Sequence, residues 1–257
     1  MTAEYDARRL SDALAQIRPY VERARAFSGW AFDGLDIRHL DAGPPWDYEA
    51  LARKYAGRSR SVVDLGTGGG EVLSRIVPGV EARVVATEEW AVNAPIAARR
   101  LAPLGVGVVR ADSLRLPFAE GAFDLVLDRH EALTPADVAR VVARGGTVLT
   151  QQVGNDNWPE FRQFVETVVF PDHFNIYQQG FAAAGLTIED ARWHEERVAF
   201  GSLGDVAYMM MVSPWSYPGF DAARDIERLL ELEDALRTPD GIVVTESRYV
   251  IVARKPG

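Results

Sequence analysis

The run Ser61-Val62-Val63-Asp64-Leu65 leads, β-branched and apolar, into Gly66-Thr67-Gly68-Gly69-Gly70-Glu71. An acid followed by glycines at alternate positions is what a buried strand shows when it ends in a tight turn and its backbone must approach a ligand closely. With 22 Gly and 37 Asp plus Glu in 257 residues, an acid-x-Gly-x-Gly-x-Gly string arises by chance in ~2 % of such chains. A strand before it and a helical pattern after it make it a ligand loop. A dinucleotide fingerprint requires Gly or Ala at the sixth position of G-x-G-x-x-G, and here that position is Glu71, a carboxylate that would face the phosphates. No Gly-Lys-Ser/Thr follows, which excludes a phosphate-binding P-loop. Acids at both ends of the loop suit a cationic nucleoside without phosphate.

Asp64-Leu65-Gly66-Thr67-Gly68-Gly69-Gly70 resembles the first motif of class I S-adenosylmethionine-dependent methyltransferases, and the resemblance runs from about Ser61 to Val153 with the last strand at the C-terminus. It implies S-adenosyl-L-methionine as cofactor, held by Asp64, Gly66, Thr67 and Gly68. Glu88 ends the second strand, 24 positions after Asp64, where nucleoside-binding folds place an acid on the ribose hydroxyls; both its oxygens can accept from a vicinal diol. Asp112-Ser113, just past strand three, resembles the family's adenine contact, with a turn cap as the alternative for Asp112. Leu116 to Asp124 is similar to the family's linker into strand four. Asp128 closes that strand on the edge that, in the family, lies nearest the transferring methyl, and is assigned to the cofactor.

His130, two positions further on, is the candidate general base because an ordinary imidazole titrates near neutrality; the alternative is a histidine that bonds a loop carbonyl or orients Glu131. Asn155, past the end of strand five, and Trp215 and Tyr217, in a later aromatic segment, are the candidate acceptor contacts. Neither His nor acid spacing suggests a metal site.

The elements that must position these residues follow the α/β pattern of a Rossmann-like, seven-stranded, doubly wound sheet, with an N-terminal helical cap and an insertion between strands six and seven. Residues 1–60 form the cap, with a helix from Glu4 to Phe27 that Pro19 divides, and with Trp30, Trp46 and Tyr48 as aromatics that cover the cofactor or pack under a loop. Residues 61–200 form the cofactor-binding core. Its crossover helices run from Val72 to Val77, Ala94 to Leu101 and Pro135 to Ala143, the last capped by Thr134; a helix from Phe161 to Val169 and another from Asn175 to Ala184 follow. Residues 201–240 are the insertion, with an apolar stretch from Val206 to Val212 and an acidic helix from Asp221 to Arg237, read as a lid over the acceptor; the alternative is a docking helix or a homodimer contact. Residues 241–257 supply the last, antiparallel strand.

The formal net charge of −9 and the scatter of Arg among acids make nucleic acid an unfavourable partner. No apolar run is long enough to span a membrane and the N-terminus lacks a signal-peptide layout, so a cytoplasmic location is expected; the absence of Cys agrees and removes thiolate chemistry. The expected activity is methyl transfer from S-adenosyl-L-methionine to a small organic acceptor, with secondary metabolites among the acceptors considered. An RNA base is the alternative acceptor. A protein that binds the cofactor without methylating is the alternative from a different class.

Overall fold

The structure is a computed structural model describing residues 6–257; the expected helix start at Glu4 lies outside them. Asp6 accepts from the Arg9 backbone N–H at 2.8 Å and caps α1 (Ala7–Arg25). The helix buries Ala13, Ile17, Val21 and Ala24, one stripe at helical spacing. It continues through Pro19 instead of dividing there. Then come β1 (Ile37–His39), α2 (Tyr48–Ala56), β2 (Ser61–Leu65), α3 (Leu73–Ile76), β3 (Arg83–Thr87), α4 (Asn93–Leu101), β4 (Gly107–Val109), β5 (Phe123–Arg129), α5 (Pro135–Val141) and β6 (Val142–Val153). The second half of the chain adds α6 (His173–Ala183), β7 (Thr187–Phe200), α7 (Leu203–Val212), α8 (Ile226–Leu236), β8 (Arg237–Thr238) and β9 (Gly241–Arg254).

The sheet order is β1-β7-β9-β6-β5-β2-β3-β4, with β8 paired to β9. Strands β2 to β6 are mutually parallel, and β9 runs antiparallel between β6 and β7. The seven expected strands are β2 to β7 and β9. The region expected as a helical cap also contributes β1, which pairs with β7 at the sheet edge. The direction of winding reverses between β2 and β5, and the glycine loop leaves β2 at that switch point, where open α/β sheets bind ligands at the carboxyl ends of their strands.

Apolar clusters cover both faces of the parallel strands. Strands β7 and β9 stay paired from Thr187 and Arg254 out to Phe200 and Ile242, and their far ends carry a third cluster with α1, α7 and α8. The insertion is therefore a packed helical layer: α7 has a Ser202/Asp205 capping box and buries eight of its ten residues, so its apolar stretch is taken up within the molecule.

Two helical expectations change. Residues 161–169 form no α-helix; a short 3-10 turn at Pro159–Gln163 is followed by irregular chain. Their apolar side chains divide between the core (Phe161, Val165) and a cavity wall (Val168) instead of sharing one stripe. Thr134 stands at the N-cap of α5 without a side-chain capping bond.

Candidate functional site

Backbone conformation makes the loop after β2 what it is. Gly66, Gly68 and Gly70 have φ of 57°, 63° and 80°, a region open to glycine and strained for other residues. Neighbouring groups hold the turn: the Gly66 N–H donates to Thr87 Oγ1 at 3.2 Å, the Thr67 N–H to the Thr87 carbonyl at 2.8 Å, and the Gly68 N–H to Glu88 Oε2 at 2.7 Å. Glu88 Oε1 accepts from the Trp90 N–H at 2.8 Å, so this buried carboxylate is pinned at the end of β3 from two directions.

A cavity of about 370 Å³ opens over the loop. Asp64, Gly66, Thr67, Gly68 and Glu88 all line it, together with Glu71, Trp90, Arg129 and Glu131. Burial pushes the Asp64 carboxyl up to about 7 and does the same for Glu131, also to about 7. Glu88 is raised too, again by burial. The wall thus carries four carboxylates, three of them raised by burial. The Arg129 guanidinium has no hydrogen-bond or ion-pair partner among the described residues, and burial lowers its pKa.

Three expected cofactor contacts are not among the residues that line this cavity. Asp112 and Ser113 line neither this cavity nor the next. Strand β4 is only three residues long, and the chain turns off it so that Asp112 Oδ1 accepts from the Leu114 N–H at 2.7 Å, the turn cap weighed as its alternative. Asp128 is fully buried behind the wall. Its Oδ1 accepts from Gln152 Nε2 at 2.6 Å and from Thr150 Oγ1 at 3.3 Å, its Oδ2 has no partner, and burial drives its pKa far up.

A second cavity, about 280 Å³, adjoins the first. Asn155, Trp215 and Tyr217 line it, as do Trp158, Met209 and Tyr249. Trp30, His130, Ala132, Phe170 and Trp215 border both cavities. At the mouth, Trp30 stacks on Trp215 with centroids 5.8 Å apart, and Trp90 meets Trp215 edge-on at 6.0 Å. The N-terminal segment is fastened down here: the Gly29 N–H donates to Asn93 Oδ1 at 2.8 Å, and Trp30 lies over Gly68. Trp46 and Tyr48, also weighed as covering aromatics, are buried in the core.

His130 turns off β5 with φ 66°, and its N–H donates to the Gln151 carbonyl at 2.8 Å. Gln151 Oε1 accepts from Trp46 Nε1 at 2.8 Å, and an indole can only donate, so the Gln151 amide nitrogen is what faces His130 Nε2 at 3.2 Å. Nε2 is then the acceptor and the ring proton sits on Nδ1. Burial, with Arg129 and Arg248 nearby, holds the pKa of His130 well below the usual value. The expected general base is thus a neutral imidazole whose lone pair is already engaged. Sequence reasoning gave no role to Trp90 or Phe170, and placed Arg129 only within the run Asp128-Arg129-His130-Glu131 at the end of its strand.

Strand order, switch-point loop and paired cavities are those of a class I methyltransferase fold. Residues 62–152 match the family described as a methyltransferase domain. Similar solved structures include a proposed methyltransferase of Bacillus halodurans C-125, 19 % identical over 81 % of this chain and 99 % of that one with a TM-score of 0.59. The YcgJ protein of Bacillus subtilis is 18 % identical over 82 % and 98 %, with a TM-score of 0.60. The 4+2 cyclase SpnF is 16 % identical over 95 % of both chains, with a TM-score of 0.57. At these identities the likeness is one of fold. No curated protein sequence matches the chain.

Proposed function

We propose that the protein binds S-adenosyl-L-methionine in the cavity over the glycine loop and that its methyl group passes to a small organic acceptor in the adjoining cavity. The observation that carries this reading is the shared wall: one pocket lined by loop glycines and acids meets, at His130 and Trp30, a second lined by aromatic and amide side chains. The residues fit the cofactor. A Cβ at Gly66 or Gly68 would meet Glu131 or Trp30 at 2.4 and 3.0 Å, so only glycine lets these two side chains pack on the loop at the cavity's edge. Glu88 would accept from the ribose hydroxyls, Arg129 would pair with the amino-acid carboxylate, and Asp64, Glu71 and Glu131 would surround the positive charge.

When bound, the cofactor supplies a methyl group on a sulfonium, which an acceptor lone pair displaces in line while the S–C bonding pair stays on sulfur. The chain's part is to align and to exclude water. Trp30, Trp90 and Trp215 close the mouth. Carboxylates beside a charge that disappears in the transition state aid binding more than rate. With Nε2 engaged, His130 would hold the acceptor by donation and would not abstract its proton, so an acceptor that arrives neutral with a free lone pair suits the site. The net charge of −9 and the modest size of the second cavity, about 280 Å³, favour such a molecule over an RNA base.

A second reading is a protein that binds the cofactor without transferring methyl. It is favoured by the lack of a free base at the shared wall and by the likeness in fold to a cyclase. Methyl-labelled S-adenosylmethionine incubated with protein and a metabolite extract separates the two. Label in a new small product is expected; tight binding with no label transferred would establish the second reading, and label in RNA would overturn the small acceptor.

A further inference from the structure

Outside both cavities, β1, β7 and β9 bring together side chains that sequence spacing keeps far apart. Glu196 and Glu246 stand directly opposite each other on β7 and β9, and both are buried, Glu196 with its side chain only 1 % exposed. Like charges facing across a strand pair destabilise it, the more so away from water. Arg248 pairs with Glu246 at 2.8 Å. His39, reaching in from β1, places Nδ1 3.0 Å from Glu196 Oε2. That leaves Glu196 Oε1 buried with no hydrogen-bond partner, and 4.0 Å from it is His194 Nε2, also buried and also without one. One ligand atom from each of His39, Glu196 and Glu246 lies within 4.8 Å of the others.

We propose that this cluster binds a first-row divalent cation, with His39, Glu196 and Glu246 as ligands and His194 placed to join them. Imidazole with carboxylate is the donor set of zinc and its neighbours; calcium and magnesium prefer oxygen alone. Around such an ion adjacent donors stand about 3.4 Å apart, as follows from bonds of roughly 2.1 Å in tetrahedral geometry. The distances of 3.0 and 4.0 Å bracket that separation. An ion would neutralise the facing carboxylates and give the orphaned oxygen a partner. Access is provided by a cleft that Glu246 borders together with Trp30, Arg129 and Arg248. The ion would tie β1, and so the segment that carries Trp30 and Phe32, to the long strand pair.

Calorimetry of untagged, chelator-treated protein with Zn²⁺ tests the proposal, read alongside the melting temperature. One ion per chain and a raised melting temperature are expected. Glu196→Gln and His39→Ala should each weaken zinc binding by at least about tenfold. His39 has 56 % of its side chain exposed, so its replacement leaves the fold intact even if the Glu196 variant does not survive. No zinc uptake by the native chain, or undiminished uptake by His39→Ala, overturns the assignment.

Discussion

Among single residues, Glu88 and the high-titrating acids make the sharpest predictions. Glu88→Ala should weaken S-adenosylmethionine binding by about 2 kcal/mol, a loss of two charge-assisted hydrogen bonds; an unchanged Kd by calorimetry would remove its ribose role. Asp64 and Glu131 both titrate at about 7 in the folded chain, above their unfolded values. Their protonated forms therefore stabilise the ligand-free protein fully below the ordinary carboxylate range, and that contribution is lost as pH rises through about 7. Chemical denaturation of the ligand-free protein should show stability falling between about pH 4 and pH 7. A cation that selects the ionised acids does the reverse, so cofactor affinity should rise over the same interval. A flat affinity profile would mean that neither acid faces the sulfonium. For His130, whose pKa is held low by burial, the turnover profile should lack an imidazole limb near about pH 6.5.

The helices α1 and α7 meet at Gly204, where an added Cβ would lie 2.3 Å from the Tyr20 ring. Gly204→Ala should destabilise the protein by about 1 to 3 kcal/mol through overpacking, visible as a lower denaturation midpoint. The loop joining α7 to α8 begins by placing the half-exposed Trp215 against Trp30 and Trp90. Trp215→Ala should leave stability almost unchanged and reduce kcat/KM for the acceptor, since water would reach the shared wall; equal kinetics with the native enzyme would deny the segment a covering role. The stretch read from sequence as a lid packs as a helical layer, with one aromatic segment at the mouth.

Across the whole molecule, the N-terminal segment is fastened to α4 and to the glycine loop: Gly29 bonds to Asn93 and Trp30 covers Gly68. Cofactor binding should slow backbone hydrogen exchange in residues 27–32 as well as in the loop itself; protection confined to the loop would separate the two. No helix among the described residues is long and apolar enough to cross a membrane. Local pattern alone determined the strand-loop-helix unit around Gly66, the alternation of strands and helices, and the acid at Glu88, because each rests on residues adjacent in the chain whose geometry glycine, β-branching and period dictate. Contacts across the sheet decided the rest. Asp128 was withdrawn behind the wall by Gln152 and Thr150 on β6, the His130 lone pair was engaged through Trp46 and Gln151, and three tryptophans from distant segments met at one opening. The gathering of His39, Glu196 and Glu246 likewise depends on strand register, which no spacing along the chain encodes.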